Sequence, residues 1–216
     1  MAWDTAKTKR LLLDAAVDEF AAHGPEGARI DRIAAAAGVN KERIYPYFGG
    51  KRQLFEAVVE RELERLAGAV PLEGVELPEY AGRVFDYHLA HPHLLRLLQW
   101  EALSGEAGGP VAGEERRSAY YAEKVAAVAR ARTAASDPAL PPGELLYAVV
   151  ALAGWQFAVP QLARMILGGA AESGAAESGT TDSGAAGSRT ATEDPAGGDP
   201  AARREAVVEL VRRLVR

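Results

Sequence analysis

Apolar residues recur along this chain at three- and four-residue spacing, the spacing that lines one face of an α-helix. Leu12, Leu13, Ala16, Val17, Phe20 and Ala21 form the first stripe, with Gly24 placed as its C-cap. Ile30, Ile33, Ala34 and Ala37 form a second, shorter one that Gly38 ends. Asn40 is a good N-cap for a third helix beginning at Lys41. After Gly49-Gly50 a fourth is predicted from Lys51 to about Ala69, with Leu54, Phe55, Val58, Val59, Leu63 and Leu66 on one side. Further helices are expected from Pro78 to Ala90, over 91–103, from Glu114 to about Ala135, over 143–167, and from Ala201 to Arg216. No clean run of alternating β-branched residues interrupts them, so the predicted class is all-α, in about nine helices.

Residues 168–200 break the pattern. They contain no aromatic residue and no Leu, Ile, Val or Met, and "AAESGAAESG" repeats within them. Such a stretch has nothing to bury against the entropy of ordering, so a flexible linker spanning roughly 30 Å is expected. The segment 143–167 is apolar nearly all round, and 201–216 has a broad apolar side with arginines at its C-terminal end. Surfaces of that kind need a partner, and two helices from each of two chains would form a four-helix interface.

Composition narrows the function. The net charge is −5, yet residues 1–55 hold nine Lys and Arg against seven Asp and Glu, so the surplus of acid lies in the remainder. A phosphate backbone senses local charge, and this balance permits a nucleic-acid-binding N-terminal segment. An architectural DNA protein, basic throughout, is excluded by the acidic body. There are no cysteines, which excludes disulfides and thiolate metal sites and suits a reducing cytoplasm. The first ten residues carry no apolar signal core, and the run 145–167 is interrupted by Gly154, Gln156, Pro160, Gln161 and Arg164. It reads as an interface helix and not a membrane span. No phosphate loop, nucleophile elbow or HExxH is present, so the chain is expected not to be an enzyme. In "HLAHPH", His88 and His91 stand three apart and Pro92 breaks the helical spacing beyond them, so no metal or cofactor is expected.

The stretch "AAAAGVNKERIYPYFGGK" carries the most specific chemistry. A helix that reads the DNA major groove needs a bracing helix, a glycine in the turn between them and a branched apolar residue facing inward. Ala34, Gly38 and Ile44 stand at offsets of four and six that meet those needs, although a plain helical hairpin shares them. After Asn40 come Lys41, Glu42, Arg43, Tyr45 and Tyr47 on barely two turns. Arg43 can pair with a guanine edge and Lys41 can hold a phosphate. The tyrosines either donate to phosphates or pack with a wet hydroxyl. Lys51 starts the next helix, where free amides attract phosphate. Pro46 lacks the amide that would bond the carbonyl of Glu42, so the helix is expected to tighten or kink near its end, with Phe48 turned into the core.

"LLDAAVDEFAAHG" and "RIAAAAGVNKERIYPYFGGKRQLFEAV" together resemble the TetR family of bacterial transcriptional repressors. Matching positions are Leu12, Ala15, Ala16, Phe20, Gly24, Ile33, Ala34, Ala37, Gly38, Val39, Lys41, Tyr45, Tyr47, Phe48, Lys51, Leu54 and Phe55. Arg29 stands where the family caps helix 2 with Ser or Thr, Glu42 replaces a small residue, Pro46 a polar one, and Gly50 a serine cap. The resemblance implies an N-terminal DNA-binding domain over 1–50 and an effector-binding and dimerisation domain over 51–216. It implies a homodimer on a palindromic DNA operator, with a small-molecule effector that lowers DNA affinity. The DNA-contacting set is then Arg29, Asn40, Lys41, Glu42, Arg43, Tyr45, Tyr47 and Lys51. Candidates for the effector pocket are Phe85, His88, Trp100, Tyr120, Tyr121, Trp155 and Phe157. The competing expectation is a helical ligand-binding module without sequence-specific DNA binding.

Overall fold

A computed structural model describes residues 5–105, 109–131, 140–175 and 198–215, with 168–175 described by backbone alone. All its regular elements are helical, and they are α1 (Thr5–Gly27), α2 (Ile30–Ala37), a 3-10 turn (Lys41–Arg43), α3 (Ile44–Phe48), α4 (Lys51–Ala69), α5 (Leu77–Ala90), α6 (His93–Ser104), α7 (Glu114–Ala131), α8 (Pro142–Ala158), α9 (Pro160–Ala175) and α10 (Pro200–Leu214). The chain divides into two compact units, residues 1–68 with 93–117 and residues 69–92 with 118–216.

The first unit is built on the stripe of α1. Leu12, Ala16 and Phe20 are fully buried against Ile33, Ile44, Leu54, Val58 and Leu97, each large side chain contributing about 1.5–3 kcal/mol by leaving water. Phe20 meets Phe55 edge to face, with centroids 5.2 Å apart. At Gly24 (φ 67°, ψ 174°) the helical backbone of α1 breaks, and one further turn begins at Pro25. Glycine is required there twice over. A Cβ would be strained at that φ and would lie 2.8 Å from the indole of Trp100 on α6. A buried carboxylate, Glu62 on α4, receives Arg61, Arg65 and the ring of His93. Burial alone would raise its pKa, but these partners hold it below the usual carboxylate range.

The second unit packs α5 against α8 and α10. Phe85 and Phe157 meet edge to face at 5.1 Å, and Val84 of α5, Leu145 and Val149 of α8, and Val207 and Val211 of α10 are buried as well. Arg204 of α10 donates to both oxygens of Asp86, at 3.0 and 2.8 Å. Gly82 makes that approach possible, since a Cβ there would stand 2.7 Å from the guanidinium.

Two expectations are corrected. The apolar segment 143–167 is not one helix. It breaks between Ala158 and Pro160 into α8 and α9, bent by 93°. Pro160 has no amide to continue the ladder, so Val159 closes α8 by donating to the Trp155 carbonyl, and Pro160 opens α9 at the position where a proline fits. The backbone also stays helical to Ala175, where a linker from Gly168 was expected. A helix already nucleated at Pro160 propagates readily into Ala- and Glu-containing sequence. Residues 176–197 of that expected linker lie outside the described residues.

Candidate functional site

The segment from α2 to α3 is organised by four local devices. Gly38, in the left-handed region (φ 64°, ψ 30°), ends α2 and donates to the carbonyls of Ala34 and Ala35. Asn40 then starts the next element, its side-chain oxygen accepting from the Glu42 amide at 3.0 Å. Ile44, fully buried, pins that element to the α1–α2 core. Gly49 (φ 91°) closes it by donating to the Tyr45 carbonyl at 2.8 Å.

Pro46 acts at a different point from the one expected. The tightening lies just after Asn40, where Lys41–Arg43 form a 3-10 turn, and Ile44–Phe48 is regular α-helix. With no amide at Pro46, the carbonyl of Glu42 has no α-helical donor to accept from. The preceding turn winds instead to the i→i+3 pattern, with the Arg43 amide donating to the Asn40 carbonyl.

Lys41, Glu42, Arg43 and Tyr45 are all exposed on this element, Tyr45 at 61%. Lys41 pairs with Asp31 of α2 at 2.8 Å, and the hydrogen bond to that carboxylate raises its pKa. Tyr47 and Phe48 turn the other way and pack half-buried on the core, the Tyr47 ring lying 5.8 Å from the ammonium of Lys9. Lys51 donates to the carbonyls of Glu26 and Ala28, at 3.0 and 3.4 Å, and so braces the α1–α2 turn. Arg29 offers no side-chain cap to α2. Glu19 takes its place from α1, accepting the Arg29 amide at 2.8 Å and the Arg32 guanidinium at 2.7 Å. Burial pushes the Glu19 carboxyl up, and these bonds outweigh it, leaving the group below its ordinary range.

The effector candidates fall into separate groups. Phe85, His88 and Phe157 come together between α5 and α8, the His88 ring 6.0 Å from Phe157. His88 is buried with Nδ1 unpartnered, and burial, helped by His91, pushes its pKa down to about 4. Tyr120 and Tyr121 stand on α7, edge to face. Trp155 is 60% exposed on α8, whereas Phe157 of the same helix is buried. Trp100 joins none of them. It lies in the first unit, its indole N–H donating to the Ala21 carbonyl. Lys124 was not foreseen. It is buried on α7, donates to the Val70 carbonyl and the Tyr80 hydroxyl, and sits over the rings of Tyr80 and Tyr120. A single lysine among the apolar positions of "YYAEKVAAV" was the available signal.

Comparison with known proteins decides what this arrangement belongs to. Residues 12–58 match the model of the tetR family of bacterial regulatory proteins, and residues 76–181 match a tetracyclin repressor-like C-terminal domain. The HTH-type transcriptional repressor SCO4008 of Streptomyces coelicolor is 46% identical over 169 residues, which cover 77% of this chain and 86% of that protein. The chain belongs to the TetR family. The putative transcriptional regulator SCO4942, also from Streptomyces coelicolor, shares the fold with a TM-score of 0.69 at 31% identity, covering 96% of this chain and 98% of that one. The repressor NicS of Pseudomonas putida is 34% identical over 125 residues, 48% of this chain and 59% of its own length. As a TetR-family regulator the protein binds DNA through an N-terminal helix-turn-helix domain, and α2, the 3-10 turn and α3 lie within the residues matched to it.

Proposed function

We propose that the protein is a transcriptional repressor acting in the cytoplasm as a homodimer on a palindromic operator, with residues 1–50 as the DNA-binding part and 51–216 as the effector and dimerisation part. The observation that carries this is the reading element itself. Lys41, Glu42, Arg43 and Tyr45 project from a two-turn segment whose other side is fixed by fully buried Ile44. Arg43 supplies the bidentate contact to guanine, and Glu42 accepts from a cytosine amino group. Tyr45, Tyr47, Arg29 and Lys51 contact phosphates, Lys51 through the donor it does not spend on the two carbonyls. Asn40 contributes by capping.

Dimerisation is supported by apolar residues left in water on α8 and α9, chiefly Tyr147 at 76%, Trp155 at 60%, Met165 at 69% and Ile166 at 65%. A twofold pairing would place two reading elements about 34–36 Å apart. Effector binding in the helical body then lowers operator affinity, typically by about 5- to 150-fold, or about 1–3 kcal/mol. Footprinting on the DNA upstream of its own gene tests this. Two protected half-sites about one helical turn apart are expected, and Trp155→Glu should abolish both together with the dimer in light scattering. Protection of a single half-site by the wild type would refute the dimeric reading.

A further inference from the structure

Among the effector candidates, the surroundings of Lys124 define a ligand chemistry. Its ammonium is buried at 6% exposure with neutral oxygens as its hydrogen-bond partners, the Val70 carbonyl at 3.2 Å and the Tyr80 hydroxyl at 2.9 Å. Its remaining directions face two rings, with centroids 4.5 Å (Tyr80) and 4.8 Å (Tyr120) away. The carboxylate of Glu73 adds a favourable field from further off. Carbonyl oxygen, phenol oxygen, two π-faces and a distant carboxylate are all negative toward the same point, so the position selects positive charge whoever supplies it. Two of the three ammonium N–H bonds are spent on those oxygens and the third faces the rings, so an anion brought there would have to approach across the negative faces of both. One turn further along α7, Ala127 and Val128 line a cavity of about 390 Å³ shared with Leu72, Glu73 and Val75, which is room for an apolar body. Tyr120 is half-buried and neighbouring Tyr121 is 44% exposed, so the rings reach the surface on one side.

We infer that Tyr80, Tyr120 and the Val70 carbonyl form an organic-cation site that Lys124 fills with its own ammonium, so that the effector of this protein carries an amine or quaternary ammonium group. The inference rests on the reading of the helical body as the effector-binding part. An incoming cation replaces the ammonium on the same two rings. Displacement is eased because burial disfavours the charged amine, holding its pKa down to about 8, and the ammonium regains hydration when it moves out to solvent.

Three probes of one shape separate the alternatives: choline, its neutral analogue 3,3-dimethylbutan-1-ol, and the anion 3,3-dimethylbutyrate. Binding to the full chain is followed by NMR of the tyrosine rings, without DNA. Choline is expected to bind in preference to the other two. Lys124→Met should tighten choline about tenfold and leave the alcohol unchanged, and adding Tyr120→Leu should cancel that gain. The variant Tyr121→Leu, outside the cage, controls for misfolding, with thermal unfolding recorded for each protein. Butyrate binding best to the wild type and lost in Lys124→Met would overturn the proposal, because Lys124 would then be an anion anchor. Equal affinity of choline for wild type and Lys124→Met would also overturn it. Operator affinity is measured separately: choline that binds the cage yet leaves operator affinity unchanged would refute the assignment of the cage to the effector while leaving DNA binding intact.

Discussion

His88 makes the second unit sensitive to acid, and the size of the effect follows from its surroundings. The residue is only 3% exposed, Nδ1 has no partner, and burial pushes the pKa to about 4 from an ordinary 6.5. Between those values the unfolded chain binds a proton that the folded chain refuses, so stability is full above pH 6.5 and is lost as pH falls toward 4. Integrating that single difference, lowering pH from about 7 to about 5 costs about 2 kcal/mol, or a fall in Tm of roughly 4–8 °C for a chain of this size. His88→Leu removes both the titration and the unpaired nitrogen. At about pH 7 the variant should fall within about 1 kcal/mol of wild type, since the leucine leaves no buried polar atom unsatisfied. Denaturant unfolding at those two pH values is the assay. The wild-type acid loss should exceed that of the variant by about 2 kcal/mol. Carboxylates held low elsewhere, such as Glu19 and Glu62, act in both proteins and cancel in the comparison. An identical acid loss in the two would refute the buried neutral imidazole.

Three other perturbations have expected outcomes. Gly24→Ala combines a positive φ with a clash on Trp100 and should destabilise the first unit by about 2–4 kcal/mol in equilibrium unfolding. Glu19→Ala leaves the Arg29 amide without its acceptor, so α2 should lose about 1–2 kcal/mol, seen as faster amide exchange over residues 30–33. The amine of Lys124, held down to about 8, should make wild type gain about 1–2 kcal/mol between about pH 8 and 9.5, because the unfolded chain holds that proton up to about 10.5. Lys124→Met should show no such gain. The Tyr80 and Tyr120 phenols, raised chiefly by burial, act in the opposite sense above about pH 10 and set the upper end of that window.

How far the molecule could be read in advance depended on the range of the interaction involved. Gly38, Asn40 and Ile44 were legible because a left-handed cap, an Asn N-cap and an inward branched residue act within a few positions of themselves. The stripes of α1 and α4 were legible for the same reason. Glu19 was not, since the amide it accepts lies ten positions away. Lys124 meets Tyr80 across 44 residues, and no periodicity reports such a meeting. Trp100 stands among the effector candidates because an aromatic on a middle helix carries no mark of the glycine, Gly24, that receives it. At Pro160 the proline was visible, but the apolar run continuing beyond it concealed a 93° bend. At Pro46 the carbonyl left without its donor, that of Glu42, was legible, but which side of it would tighten was not, because the backbone can wind to the 3-10 pattern before or after it.

DNA reading by the helix-turn-helix is tested most directly by the affinity of the full chain for DNA from upstream of its own gene, measured by fluorescence anisotropy against a scrambled duplex across a salt series. At moderate salt the native sequence should bind at least about 10³-fold tighter, and Arg43→Ala should cost about 1–3 kcal/mol and relax preference at one base pair. Equal affinity for native and scrambled DNA, unchanged by Arg43→Ala, would contradict the assignment of residues 41–45 as the reading element.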